Sequence, residues 1–356
     1  MTKVKRLLYI TAYPPDYKSG GQVFSCNAIK DLSKKYEIDL IFFDYPNQRP
    51  ASDLPVKITK NFKPSLWNCM IRPQYFPIFT KRFSGKILRY LNQIAGQYDV
   101  LFFDHLQAAF YVKYVNHDFK AVRCHDIMVQ RYARINKLVL PWVKLSEKSI
   151  LCCADKIFVP SKKDKWILKK EYSLDAQYTD EYIPDYQIPE ISKTEGYIMF
   201  GRWDRNENLE GLDWFIKNVC PALGKNVTSK IAVMGEGLDK KFIRRYLVPY
   251  GIRYLGYVKN SHDEIIRRKA MIVPLFKGAG VKVKVLDSFA AGTPVIGTDI
   301  AFEGIPDIKG MVYRANRAES FIRQIRSNQE IQNTDKKENQ KRFRKVYGLR
   351  HLSNFL

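Results

Sequence analysis

The sequence predicts an α/β protein made of two open parallel sheets, and three observations lead there. Short apolar runs alternate with amphipathic stretches from one end of the chain to the other, the mark of repeated strand–helix units. A chain of 356 residues, 46% hydrophobic, is long for one core and ample for two domains of ordinary size. The stretch YTDEYIPDYQIPEISKTEG, Tyr178 to Gly196, is rich in Pro, acids and turn formers and divides the strand candidates into two series.

In the first series the strand candidates are Arg6 to Thr11, Ile38 to Phe43, Val100 to Phe103, Ala121 to Cys124 and Lys156 to Val159. Helical patterns lie between them at Gly21 to Lys34, Lys81 to Ala95 and Val139 to Cys152. In the second, strands are expected at Gly196 to Phe200, Lys230 to Met234, Arg253 to Leu255, Ala270 to Val273 and Pro294 to Gly297. The domain boundary is placed near Pro184, giving 1–184, 185–335 and a C-terminal helical tail, 336–356. That tail is charged with an apolar pattern (Phe343, Val346, Tyr347, Leu349, Leu352, Phe355), as a solvated helix with one docked face requires. Open parallel sheets bind ligands at the carboxyl ends of their strands, so two of them facing one another imply a cleft.

Lys plus Arg outnumber Asp plus Glu by 60 to 36, a formal charge of +24 that calls for an anionic partner. The opening MTKVKRLLYITAYPP is basic, but its apolar run from Leu7 to Ala12 is too short for a signal segment. No window reaches the roughly 18 apolar residues of a membrane span, so the chain reads as cytoplasmic. The six cysteines are scattered, with no C-x-x-C pair, and are read as reduced core residues.

The stretch that carries most chemistry is KGAGVKVKVLDSFAAGTPVIGTD, Lys277 to Asp299. Gly278, Ala279 and Gly280 precede a helix expected to begin near Val281, whose apolar positions Val285, Leu286, Phe289 and Ala290 fall at helical spacing. Small residues let the backbone approach an anion, and the N–H groups of the first helical turn point at it. Lys282 and Lys284 add neutralising charge there. One turn on, Asp287 is spaced to accept hydrogen bonds from a ribose diol.

With its surroundings, MIVPLFKGAGVKVKVLDSFAAGTPVIGTDIAFEGI, this segment resembles the nucleotide-sugar site of group 1 (family 4) glycosyltransferases. The resemblance continues in YIMFGRWDRNENLEGLDWFIKNVCPAL, IAVMGEGL and IRYLGYV, and more loosely in YPPDYKSGGQVFSCNAIKDLS, AVRCHDIMVQRY and EKSILCCADKIFVPSKKD, covering nearly the whole chain. It implies the GT-B architecture: two Rossmann-like domains with parallel sheets facing across a cleft, an acceptor domain first and a donor domain second, and the C-terminal helix returning to the N-terminal domain. It also implies roles. Gly20 and Gly21 would form a loop opposite the donor diphosphate; His125, just after a strand, would hydrogen-bond the transferred sugar; Arg202 would grip the diphosphate, with Lys282 or Lys284 completing the clamp, Asn208 beside them and Asp287 on the ribose. His125, Arg202 and Lys282 are the catalytic candidates, and Glu303 lies in a family-like loop.

The departures from the family pattern bear on the donor. Many relatives carry an acid just before the glycine-rich loop, where this chain has Lys277; their lysine before the asparagine of the first C-terminal loop is Glu207 here, with Arg205 as a substitute. No D-x-D occurs, and no His, Cys or acid group has metal-ligand spacing along the chain. The expectation is therefore a retaining transferase without metal or other cofactor, using a nucleotide sugar, UDP by family habit, as co-substrate. Cationic side chains and helix N-termini would stabilise the departing diphosphate.

From Leu54 to Tyr98 there is no Asp or Glu, while basic residues interleave with aromatics. Lys81, Arg82, Lys86 and Arg89 are the residues expected to meet an anionic membrane at the inner leaflet, where a lipid-linked acceptor would reside. The competing readings are a nucleic-acid binder, for which no zinc-finger or RNP-type motif is present, and a non-catalytic nucleotide-sugar-binding subunit.

Overall fold

A computed structural model describes residues 4–17, 20–46, 48–181, 183, 186–189, 194–327, 331 and 335–356. The chain divides into two compact units, residues 1–182 with 350–356, and residues 183–349. The boundary expected near Pro184 falls on a residue outside the described ones.

The first unit is built on a sheet ordered β3-β2-β1-β4-β5-β6-β7, comprising β1 (Lys5–Thr11), β2 (Tyr36–Phe43), β3 (Lys57–Phe62), β4 (Val100–Asp104), β5 (Lys120–Arg123), β6 (Lys156–Val159) and β7 (Gln177–Tyr178). Every pairing is parallel. Alternation along β1 sends Leu8 and Ile10 into one apolar layer and Leu7 and Tyr9 into the other. A strand buried on both faces therefore reads as an unbroken apolar run, Leu7 to Ile10.

The second unit repeats the plan with the order β10-β9-β8-β11-β12-β13, from β8 (Tyr197–Phe200), β9 (Ile231–Met234), β10 (Arg253–Gly256), β11 (Ala270–Val273), β12 (Val295–Gly297) and β13 (Val312–Arg314). In both sheets the chain order reverses beside the first strand of the unit, β1 or β8. Such a switch point leaves a crevice at the strands' carboxyl ends.

Three strands, β3, β7 and β13, are additional to those expected. All are edge strands, and β3 (KITKNF) carries two exposed lysines, an exposed Ile58 and no buried residue, so its apolar signal is weak. The C-terminal helix also departs from expectation. Lys336–Val346, capped by Asp335, packs within the second unit, with Phe343 against Phe289 and stacked on Tyr347. Gly348, at φ +83°, lies just beyond it, and only 350–356 belong to the first unit. There Leu352 is buried and Ser353 donates its N–H and hydroxyl to Asp31, both at 2.9 Å. Val346 and Leu349 of the expected docked face are exposed.

Candidate functional site

In the second unit the polar groups gather at the carboxyl end of β8. Gly201 follows that strand, and the turn from 201 to 205 is held by backbone contacts that demand glycine on the neighbouring loop. Gly235, at φ +110°, would place a Cβ 2.0 Å from the Gly201 carbonyl oxygen, and Gly237 would place one 2.4 Å from the Asp204 nitrogen. Trp203 locks the turn, its N–H donating to the Glu236 carbonyl (2.8 Å) and its indole Nε1 to that of Met234 (3.0 Å).

From this turn the Asn206–Asn218 helix begins, and its Asn208 Nδ2 donates back to the Arg202 carbonyl at 2.7 Å. The Asn208 Oδ1 in turn accepts from Lys284 Nζ at 2.8 Å. Lys284 lies in the first turn of the Val283–Ala290 helix, which starts two residues later than expected because Lys282, with extended backbone, occupies the cap position. The ammonium sits so close to Gly201 that a Cβ there would fall 2.9 Å from it. Of the positions where the family places a lysine or this chain a substitute, Glu207 is half-buried and Arg205 is an exposed cap residue, whereas Lys284 reaches Asn208 from another element.

Burial pushes the Lys284 ammonium down to about 7, with the nearby Lys282 adding to the effect. Burial alone pushes the Asp287 carboxyl, one turn along the same helix, up to about 7. No hydrogen bond or ion pair to that carboxyl is found among the described residues. A cation and an acid, each held near neutrality and close in sequence on one helix, are the most strongly perturbed groups of this strand-end cluster.

The other expected residues are placed less simply. Gly278 and Gly280 adopt φ +116° and +73°, which glycine tolerates, and Ala279 and Val281 are partly exposed in the same loop. Lys282 Nζ turns onto its own loop, donating to the carbonyls of Ala279 (3.0 Å) and Gly280 (2.5 Å). Arg202 directs its fork at Asp204, with Nε donating to Oδ1 at 3.1 Å and Nη2 to Oδ2. Sequence reasoning missed Asp204, although two residues after the arginine is a spacing that permits this pair. Lys277 is exposed and paired with Glu210 at 2.8 Å. Glu303 is partly exposed, its N–H donating to the Ile300 carbonyl.

In the first unit the cluster forms where β4 and β5 end. His125, two residues past β5, meets the Asp104 Oδ1 through Nε2 at 2.7 Å. Asp104 also accepts from Ser25 (2.5 Å) and Arg123 (3.3 Å), and Arg123 continues to Glu181. Although burial by itself would raise it, the neighbouring His125, His105 and Arg123 side chains hold the Asp104 carboxyl well below the usual carboxylate range. His105 lies beside His125 with ring centroids 3.7 Å apart, and takes the left-handed φ of +69°. Burial, then the neighbouring His125, pushes it well below the ordinary imidazole value. Gly20 and Gly21 open the Gly20–Leu32 helix instead of forming a loop, and a Cβ on Gly21 would lie 3.4 Å from His105 Cε1 and 3.9 Å from His125 Nδ1.

The fold corrects the expectation of no metal-ligand group, which came from spacing along the chain. Asp104, His105 and His125 each place one ligand-type atom within 4.8 Å of the others. Both Asp104 oxygens are already engaged by Ser25, His125 and the Arg123 cation, so the donor set suits a hydrogen-bonded network better than a metal. Asp104, His105 and Ser25 were missed, yet Asp104 and His105 stand at the carboxyl end of a central strand, where ligand-binding side chains concentrate.

The expected membrane residues divide. Lys86 and Arg89 are exposed and Lys81 partly so, but Arg82 is buried. Its guanidinium donates to the Ala12 carbonyl (3.1 Å) and the Tyr45 hydroxyl, and lies 4.8 Å from the centre of the Tyr13 ring. Arg82 is a core cation and is removed from the surface set.

Residues 195–328 match the family described as Glycosyl transferases group 1. No curated protein matches the chain by sequence. Among solved structures, S. aureus TarM is similar over 96% of each chain at 12% identity with a TM-score of 0.70 in one structure. WaaG, a glycosyltransferase involved in lipopolysaccharide biosynthesis, is similar over 98% of each chain at 14% identity and 0.64. Anabaena HepE in complex with UDP is similar over 95% of each chain at 10% identity and 0.63. Residues 195–328 of the second unit are thus similar to group 1 glycosyltransferases, and the chain as a whole has the two-sheet fold of the GT-B glycosyltransferases.

Proposed function

We propose that the protein is a retaining, metal-independent glycosyltransferase that takes a sugar from a nucleoside diphosphate donor and passes it to a lipid-linked or polysaccharide acceptor during assembly of a cell-surface glycan. The observation that carries the reading is the strand-end cluster of the second unit. There an ammonium (Lys284) beside an amide (Asn208) and a glycine-lined loop is followed one turn on by the Asp287 carboxyl, which has no partner among the described residues. This order of groups suits a diphosphate followed by a ribose diol. UDP is the preferred donor nucleotide, in keeping with the UDP held by the TarM and HepE structures.

In this reading Lys284 and Arg202 meet the negative charge that grows on the leaving diphosphate as the bond from the anomeric carbon to the phosphate oxygen breaks. That same oxygen takes the proton of the acceptor hydroxyl as the new glycosidic bond forms on the same face, so configuration is retained and no enzyme nucleophile is needed. Arg202 serves once its fork is shared between Asp204 and the phosphate. His125, its Nε2 oriented by Asp104, hydrogen-bonds the transferred sugar.

A panel of nucleoside diphosphates read by thermal shift, followed by slow hydrolysis of the matching nucleotide sugar, tests this. One nucleotide should raise the melting temperature, its sugar conjugate should release free sugar, and Arg202→Ala should suppress that release. No response to any nucleotide sinks the reading. The Lys277–Glu210 pair, standing where relatives carry an acid, favours one alternative, a non-catalytic nucleotide-sugar-binding subunit; binding without turnover would select it.

A further inference from the structure

In the first unit, the short helix Trp67–Met70 is turned inside out. Its side chains and those of its flanks sort by polarity in the direction opposite to a soluble helix. The polar groups face the protein: Asn68 Nδ2 donates to the Lys81 carbonyl (3.1 Å), the Ser65 N–H donates to the same carbonyl (2.9 Å), and Cys69 Sγ donates to the Pro77 carbonyl (3.4 Å). The large apolar groups face out: Leu66, Trp67, Met70 and Ile71 are each 65–69% exposed, and the helix has no buried residue. Four large apolar side chains exposed within six residues are a concentration that soluble surfaces rarely leave bare.

We propose that this turn is the element by which the protein enters an anionic lipid bilayer, Leu66, Trp67, Met70 and Ile71 settling at the boundary between headgroups and acyl chains. Charge complementarity selects the occupant. The turn lies inside the stretch from Leu54 to Tyr98 that contains no acid, and exposed Lys57, Lys63, Lys86 and Arg89 belong to the same stretch. A turn with an outward tryptophan, set in an acid-free stretch that carries exposed cations, suits a bilayer interface, where aromatics sit at headgroup depth and cations meet phosphates. The inference deepens the proposed lipid-linked acceptor and rests on that reading for its purpose only. Vesicle binding needs no donor and donor hydrolysis needs no vesicle, so either can fail while the other stands.

The test is co-sedimentation of the full chain with phosphatidylcholine–phosphatidylglycerol vesicles and with pure phosphatidylcholine vesicles, at low and high salt. Alongside it, the variant Leu66→Ser, Trp67→Ser, Met70→Ser, Ile71→Ser should keep the parent's melting temperature, since all four side chains are exposed. The wild type should bind the anionic vesicles and retain part of that binding at high salt, where charge attraction is screened. The fourfold variant should bind roughly a hundredfold more weakly and lose the salt-resistant part. Tryptophan emission should shift to the blue on vesicle addition, and Trp67→Phe should abolish the shift. Equal vesicle binding by the fourfold variant, an unchanged shift in Trp67→Phe, or a wild type that ignores vesicles and self-associates through this turn would each overturn the proposal.

Discussion

At the scale of single residues the account turns on two groups that burial moves in opposite directions. Lys284 falls to about 7 from its ordinary value, so between about 7 and 10 the unfolded chain binds a proton that the folded chain does not, and stability gains from this group as pH rises there. Asp287 rises to about 7, so between about 4 and 7 the folded chain holds the extra proton and stability falls as pH rises. Together they predict a dip in the ligand-free protein's stability near neutrality. Asp287→Asn should remove the acid limb and Lys284→Met the alkaline one, in melting temperatures followed across pH. A diphosphate needs the charged ammonium, so nucleotide binding above pH 7 should take up a proton, measurable as calorimetric heats that vary with the buffer. Asp287 and Lys284 were readable from the sequence because glycines, cations and an acid fall in ligand order. Asp104 and His105 were not, because only the pairing of β4 with β5 brings them beside His125.

At the scale of elements, close packing decides what each turn tolerates. Gly211 lies inside the Asn206–Asn218 helix, where alanine would ordinarily gain about 1 kcal/mol in propensity. A Cβ there would stand 2.1 Å from the Pro274 carbonyl oxygen, so contact wins. Gly211→Ala should lower stability by about 2–4 kcal/mol in denaturant unfolding. In the first unit, the Met128–Ile135 helix is capped by a carboxylate from a neighbouring helix. Glu147 accepts from the Met128 and Val129 N–H groups (2.7 and 2.9 Å) and from the Tyr172 hydroxyl (2.6 Å), and burial pushes it up to about 7. Glu147→Leu would strand those three donors and should cost about 3 kcal/mol or more by the same measurement. The long strands were legible because both faces of β1 are buried along Leu7 to Ile10 and β2 ends in the buried apolar run Leu40 to Phe43. β3, β7 and β13 escaped notice because edge strands need little hydrophobicity, and the basic, aromatic stretch from 54 to 98 pointed to a membrane surface without showing that the turn at 66–71 is the part that faces outward.

At the scale of the whole molecule, sequence and fold carry different amounts of information. Identity to TarM is only 12%, yet the TM-score over nearly the full chain is 0.70, because a strand–helix alternation persists while individual residues change. The same division explains why the architecture could be read from apolar periodicity while the donor sugar and the acceptor could not. The excess of +24 charges is spread across both units, so its meaning lies in local arrangements: buried Arg82 and Arg123 hold the core, and Lys284 waits beside Asn208. The central claim is that this last cation and Asp287 form the nucleotide site of the second unit. Titrating UDP calorimetrically into the wild type, Lys284→Met and Asp287→Asn at pH 7 tests it most directly. The account predicts saturable binding to the wild type and an affinity at least about tenfold lower in each variant, a difference of about 1.4 kcal/mol; equal affinity in all three proteins would contradict it.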